Sequence, residues 1–326
     1  MKPSLLDFLE CPECRGAFSL TADSDTAPDE ILEGTLACAC RTYPIVRGVP
    51  RLLPRSVDPR NWETAFRFGE EWNQFSMMTD EYEKQFLSWI EPVRPEHFRD
   101  KTVLDVGCGK GRHVLQAQRF GAKTVVGVDL SHAVDAAFRN VGRLPGVHII
   151  QADVYNLPLT PAFDYAYSIG VLHHTPDPAR SFQCMVNKVA PGGSVSAWVY
   201  GREGNGWIIY LLNPIRRITS FLPVPVTKTI AFVLTVILYA VLKIIYLPLA
   251  SSRFKKWLPY GEYLCSISCY SFREIFCIVL DHLIPEIAFY IREEEFRKWF
   301  ASAHLRDAVI TRRYNNSWRG FGWLSS

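Results

Sequence analysis

The chain has 326 residues, of which 48% are hydrophobic, 13% aromatic and 21% charged, with a net charge of +3. That length holds roughly two domains with cores of their own, in an ordinary globular composition. So mild a charge does not by itself indicate a nucleic-acid binder, and its distribution along the chain matters more.

After Met1-Lys2-Pro3, Asp7 and Glu10 interrupt the apolar residues, so no secretory leader is read. Nine cysteines without an export signal then point to a reducing, intracellular setting. Residues 1–55 read as a small unit ending in YPIVRGVPRLLP (43–54), with the polar TADSDTAPDE (21–30) as a loop or hairpin tip. Cys11-x-x-Cys14 and Cys38-x-Cys40 could give four thiolates to one tetrahedral zinc, or remain four reduced structural thiols. Residues 56–100 carry FRFGEEWNQF (66–75) and YEKQFLSWI (82–90), the pattern of one or two amphipathic helices forming a linker or cap.

From residue 101 strands and helices alternate, the signature of a parallel sheet covered on both faces. TVLDVG (102–107), KTVVGVD (123–129), GVHIIQAD (146–153), FDYAYSI (163–169) and GGSVSAWVY (192–200) read as strands, with a helix over roughly 177–190. Residues 201–290 interrupt this with an apolar, basic stretch. Residues 292–314 then read as a helix and a strand, and SWRGFGWL (317–324) as a last strand returning from Asn315-Asn316.

The first strand ends in LDVGCGKGRH (104–113), where Gly107, Gly109 and Gly111 let a ligand approach the backbone. The third glycine comes one residue too early for a dinucleotide fingerprint, Arg112 standing in its place, and no Walker phosphate loop is present. D-x-G-x-G-x-G resembles the first motif of class I S-adenosylmethionine-dependent methyltransferases, and the later motifs follow in order. The resemblance covers residues 101–200 closely and 291–326 more loosely. It implies a Rossmann-like α/β fold with a seven-stranded doubly wound sheet. It implies S-adenosylmethionine as cofactor, bound by Asp105, Gly107, Gly109 and Gly111, with Asp129 and Leu130 at the ribose and Asp153 and Val154 at the adenine. LLDFLECPEC…YPIVRGVPRLLP in turn resembles the Trm112-like zinc-ribbon domain often fused to such enzymes, although its second cysteine pair is C-x-C. That resemblance implies a structural zinc on Cys11, Cys14, Cys38 and Cys40.

The insert contains TKTIAFVLTVILYAVLKIIYLPLA (227–250). As a helix, residues 229–250 reach roughly 33 Å, enough for the roughly 30 Å hydrocarbon layer. A single crossing would strand the final strands on the wrong side, and no second span is available, so the segment is not read as spanning. Thr235, Tyr239 and Lys243 form one polar stripe along it. Residues 204–261 hold seven cations (Arg216, Arg217, Lys228, Lys243, Arg253, Lys255, Lys256) and no acid. These features read as a helix lying on an anionic membrane, with a buried helix or a contact with a second copy of the chain as alternatives.

Because the insert leaves the edge where the cofactor loops lie, it reads as a lid over a hydrophobic or lipid-linked acceptor, in an enzyme that is cytoplasmic and peripherally membrane-associated. His173 and His174 are the candidate catalytic residues, as base or orienting groups. Asp281-His282, Phe68–Trp72, Trp318 and Arg319 are weaker candidates. An RNA base methyltransferase is the second reading, set back because so apolar an insert makes a poor RNA-binding face and nucleic acid is not the expected partner. A non-catalytic scaffold is the third.

Overall fold

A computed structural model describes residues 1–23, 30–79 and 81–325. The first unit is a four-stranded antiparallel sheet, in order β1 (Ser19–Ala22), β2 (Gly34–Ala37), β3 (Thr42–Val46), β4 (Val49–Pro50). The expected hairpin tip joins β1 to β2, and its residues 24–29 lie outside the described residues. Leu5, Leu9 and Ile45 of this unit share one apolar cluster with Leu104, Val126 and Ile150 of the main sheet. Polar contacts fasten the same seam. Arg51 pairs with Asp135 at 2.6 Å and Lys188 with Glu10 at 2.9 Å, and the Leu52 amide donates to the Gln151 carbonyl at 2.8 Å.

Two cap helices follow. In α1 (Pro59–Gln74), Asp58 caps the first turn by accepting from the Arg60 and Asn61 amides, with Pro59 at the position that needs no donor. In α2 (Glu81–Ile90), Tyr82, Gln85, Phe86 and Ile90 turn inward, the i, i+3, i+4 spacing of an amphipathic helix.

The main sheet runs in order β10-β11-β9-β8-β5-β6-β7. Here β5 is Thr102–Val106, β6 Thr124–Asp129, β7 Val147–Gln151, β8 Phe163–Ile169 and β9 Val189–Tyr200, all mutually parallel. β10 (Leu305–Arg313) and β11 (Ser317–Leu324) close it as an antiparallel hairpin, with β11 against β9. The central strands are apolar almost throughout because helices cover both faces. α3 (Arg112–Arg119), α4 (Ala133–Ala137) and α5 (Pro178–Val186) are the crossovers. This is the Rossmann-like seven-stranded fold expected from the sequence.

After Tyr200 the chain leaves the sheet for ninety residues and returns beside its exit, where Gly201 bridges Ile291. The excursion contains α6 (Asn213–Thr219), the long α7 (Val224–Leu249), α8 (Gly261–Ile267) and α9 (Phe272–Leu283); α10 (Glu293–Ser302) then leads into β10. β9 and β11, on either side of the excursion, pair with each other, so one passage of α7 through a bilayer would part bonded strands.

The polar stripe of α7 faces the opposite way from the sequence reading. Thr235 is fully buried, Lys243 Nζ donates to the Ser268 carbonyl at 2.7 Å and the Tyr270 carbonyl at 3.1 Å, and Tyr239 packs on Phe272. Those groups satisfy the protein interior, while Phe232, Ile237 and Ile244 stand 53–75% exposed. Arg216 is likewise spent inside, donating to the Ala288 carbonyl at 3.3 Å, and Lys228 donates to Gln74. The stripe therefore reflects packing on α9 and its flanks, not contact with headgroups.

Candidate active site

A cavity of about 260 Å³ opens at the carboxyl edge of β5, β6, β8 and β9. Its floor is the turn between β5 and α3. Gly107 stands at φ +83°, and a Cβ there would lie 2.2 Å from Val171 Cγ2. Only glycine lets the segment after β8 approach so closely. The amides of Gly107 and Cys108 donate to the Val128 carbonyl at 2.7 and 2.9 Å, tying the turn to β6. Gly111 serves packing: a Cβ would meet Val141 Cγ2 at 2.8 Å, and the residue does not line the cavity.

Asp129 ends β6 and organises this edge. Oδ2 accepts from the Gly109 amide at 2.9 Å, and Oδ1 from the Ser131 amide and hydroxyl at 2.8 and 2.7 Å. Burial raises its carboxyl above the usual range, opposed by these three donors. Each carboxylate oxygen takes two donors, so Oδ2 retains room for a sugar hydroxyl. Asp153 accepts from the Tyr155 amide at 3.2 Å and from Asn61 Nδ2 at 3.4 Å, and burial raises it too. Leu130 and Val154 also line the cavity. Asp105 does not: it lies fully buried beside Tyr167, and burial holds its carboxyl well above the normal range.

The cap closes over this edge. Lys110 Nζ donates to the Phe75 and Met77 carbonyls and to the Tyr82 hydroxyl at 2.8, 3.1 and 2.9 Å, so the loop itself clamps α1 to α2. The Trp72 indole faces Gly109, and the Arg112 guanidinium lies 5.2 Å from the Trp72 and Trp89 ring centres.

The outer half of the cavity is aromatic. Trp198 and Tyr200 of β9 line it together with Tyr263 and Tyr270, around α8, and Tyr290. His174 reaches it, its Nδ1–H donating to the Ile287 carbonyl at 2.7 Å, and burial lowers its imidazole to about 3, so the ring is neutral. His173 is fully buried off the cavity, its ring tilted 37° to that of Tyr200 with centres 4.1 Å apart, and neither nitrogen is hydrogen-bonded among the described residues. Asp281 and His282 line the wall. Trp318 and Arg319 do not. Trp318 donates to Glu203 Oε2 at 3.0 Å, and Arg319 binds the Ser88 carbonyl at 2.6 Å and pairs with Glu91, so both finish the sheet.

A second constellation lies in the first unit. The sulfurs of Cys11, Cys14, Cys38 and Cys40 all fall within 4.8 Å of one another, with Cys11–Cys40 at 3.6, Cys38–Cys40 at 3.5 and Cys14–Cys38 at 3.9 Å. Zinc–sulfur bonds of about 2.3 Å in a tetrahedron require sulfur separations of about 3.8 Å. Desolvation opposes a Cys11 thiolate, but the Cys14 and Glu13 amides donate to it and bring it down to about 6. The donor set fits a zinc ion.

A glycine turn after the first strand, a carboxylate ending the second and an acid beside the third, on a sheet of this order, define a class I S-adenosylmethionine-dependent methyltransferase domain. These residues fit the cofactor: Asp129 would take the ribose, and Asp153 and Val154 the adenine edge. The cofactor supplies an electrophilic methyl on a sulfonium.

Comparison with known proteins agrees: residues 104–197 match the family described as Methyltransferase domain. The tRNA U34 carboxymethyltransferase of Shewanella loihica is 38% identical over 111 residues, 32% of this chain and 34% of that protein. Its counterpart in Aliivibrio salmonicida is 34% identical over 101 residues, 30% of this chain and 31% of that protein. An S-adenosylmethionine dependent methyltransferase from Mesorhizobium loti is 33% identical, covering 32% of this chain and 48% of that one, with a TM-score of 0.30. The chain spans about a third of the length of the curated relatives it matches.

These relatives overturn the expected partners, a lipid-linked acceptor at an anionic membrane with nucleic acid set aside, because they are named for action on tRNA. The physical reason for the error is visible in the insert. Its polar stripe and three of its seven cations serve internal contacts, so its composition was a poor guide to the acceptor.

Proposed function

We propose that the chain transfers a group from S-adenosylmethionine to a base in RNA. The observation that carries this is the likeness, at 34–38% identity over about a hundred residues, to enzymes named tRNA U34 carboxymethyltransferase. The aromatic outer cavity supports it, because a flat base taken out of its stack is held between aromatic faces in a closed pocket. The transfer is an in-line displacement that relies on positioning and water exclusion, which the α1–α2 cap provides.

The test uses methyl-labelled S-adenosylmethionine with total RNA and with a lipid extract of the host. Label in nuclease-sensitive material, lost on Asp129→Ala, is the expected result. Label confined to organic-soluble material would refute the RNA reading.

We further propose that the first unit is a Trm112-like zinc ribbon. Purified chain should release about one zinc per molecule when its thiols are blocked, by a colorimetric chelator assay. Cys11→Ser should lose that zinc and lower the unfolding midpoint, since the unit shares its apolar cluster with the main sheet. A metal-free wild type of undiminished stability would contradict the assignment.

A further inference from the structure

Two carboxyls meet at the cavity wall from helices far apart in sequence. Glu71 on α1 is 1% exposed, and the nearby charge of Asp281 on α9 adds to burial in raising its carboxyl well above the usual range. Neither Glu71 oxygen nor Asp281 Oδ1 has a hydrogen-bond partner among the described residues. Asp281 lines the cavity that the cofactor loop floors. Two neighbouring buried acids with unpartnered oxygens are costly to keep for stability alone, and an apolar pair of similar volume would pack there without that cost.

We propose that Asp281, backed by Glu71, receives the proton that the acceptor must lose, and that the charge on the cofactor decides when it is free to do so. This rests on the methyltransferase reading of the site. Transfer to an acceptor X–H forms the X–C bond, breaks the S–C bond with its electron pair left on sulfur, and releases one proton. The cavity holds a sulfonium cation before the step and a neutral thioether after it. The cation favours ionised Asp281, and its disappearance lets the same carboxylate take the proton from X.

The surroundings leave Asp281 as the group that responds. Lys110 and Arg112 face the pair from the cofactor loop and α3, and Lys228 from α7. Tyr200 and Tyr263 approach from β9 and α8, and Glu274, Cys277 and His282 share α9. Burial lowers Lys110 only to about 8, takes His282 down to about 4 and pushes the Cys277 thiol and both tyrosines up. Burial also raises Asp281, to about 6, with Arg112 and then Glu71 opposing. Below that pH the carboxyl holds its proton. A cation entering the cavity lowers the value, so a proton leaves on binding.

Calorimetric titration in phosphate and in Tris, near pH 6, counts the protons expelled by S-adenosylmethionine and by S-adenosylhomocysteine. Both nucleosides carry the same ribose and adenine, so any protons lost from Asp129 or Asp153 cancel in the difference. The cationic cofactor should expel up to about half a proton more per chain than the neutral product. Asp281→Asn should abolish that difference while still binding both nucleosides. Glu71→Gln, which removes the neighbouring acid and leaves Asp281 in place, should retain it. Equal counts for the two ligands in the wild type, or a difference that survives in Asp281→Asn, would overturn the proposal. A folded chain that binds neither nucleoside would refute the methyltransferase reading beneath it.

Discussion

Asp129→Ala is expected to weaken S-adenosylmethionine binding at least ~10-fold and to lower the melting temperature of a chain that still folds. The carboxylate holds the loop through Gly109 and the start of the next segment through Ser131. Removing it leaves those donors without their acceptor and deprives a ribose hydroxyl of its partner. A hydrogen bond to a charged group contributes about 1.5–3 kcal/mol, so the ribose contact alone amounts to about one to two factors of ten in affinity. Isothermal titration of folded variant and wild type measures it directly. Asp129→Asn, which keeps one carbonyl acceptor but places an amide beside a donor, should fall between them. Unchanged affinity in the alanine variant would mean that the ribose lies elsewhere and that the sequence motif has been misassigned.

The second large effect is on stability. Phe86→Ala should cost ~3–5 kcal/mol in denaturant unfolding, the range for removing a buried aromatic ring. Phe86 is fully buried under α2, its ring centre 5.2 Å from those of His113 and Tyr167 and 5.8 Å from that of Phe98. It is the peg that holds the cap onto α3 and β8. Since Trp89 on the same helix lines the cavity, the variant should also show weaker cofactor binding even where it remains folded. A loss below ~1 kcal/mol would indicate that the cap docks loosely and closes only around ligand.

The parallel strands were legible in the sequence because each is buried on both faces and bounded by turn residues, as in TVLDVGCG and VVGVDLS. The cofactor loop was legible because glycine positions are dictated by backbone geometry. The four cysteines could be grouped as metal ligands, but their sulfur separations belong to the folded chain. Other features escaped for definite reasons. Asp105 and Gly111 sit in the motif, yet one lies beneath the loop and the other packs a helix, a distinction that spacing does not carry. His173 and His174 are neighbours in sequence, but only His174 reaches the cavity. Glu71 and Asp281 are separated by two hundred residues, so nothing local brings them together. In α7 the pattern of Thr235, Tyr239 and Lys243 marked one face correctly, while its orientation depended on carbonyls offered by Ser268 and Tyr270.

The short bridge between Gly201 and Ile291 bears on how such an enzyme changes its acceptor. The Arg202 amide donates to the Ile291 carbonyl and the Ile291 amide to the Tyr200 carbonyl, each at 2.9 Å, so the two ends of the excursion are already stitched side by side. Everything between them behaves as a cassette plugged into an intact sheet, and lengthening or replacing a segment whose ends are held together costs little closure entropy. The cassette carries Tyr263, Tyr270 and Asp281, whereas Asp129, Asp153 and the glycine turn belong to the frame. Selection can therefore redesign what receives the transferred group by exchanging one contiguous stretch of gene, with the donor's binding site left untouched.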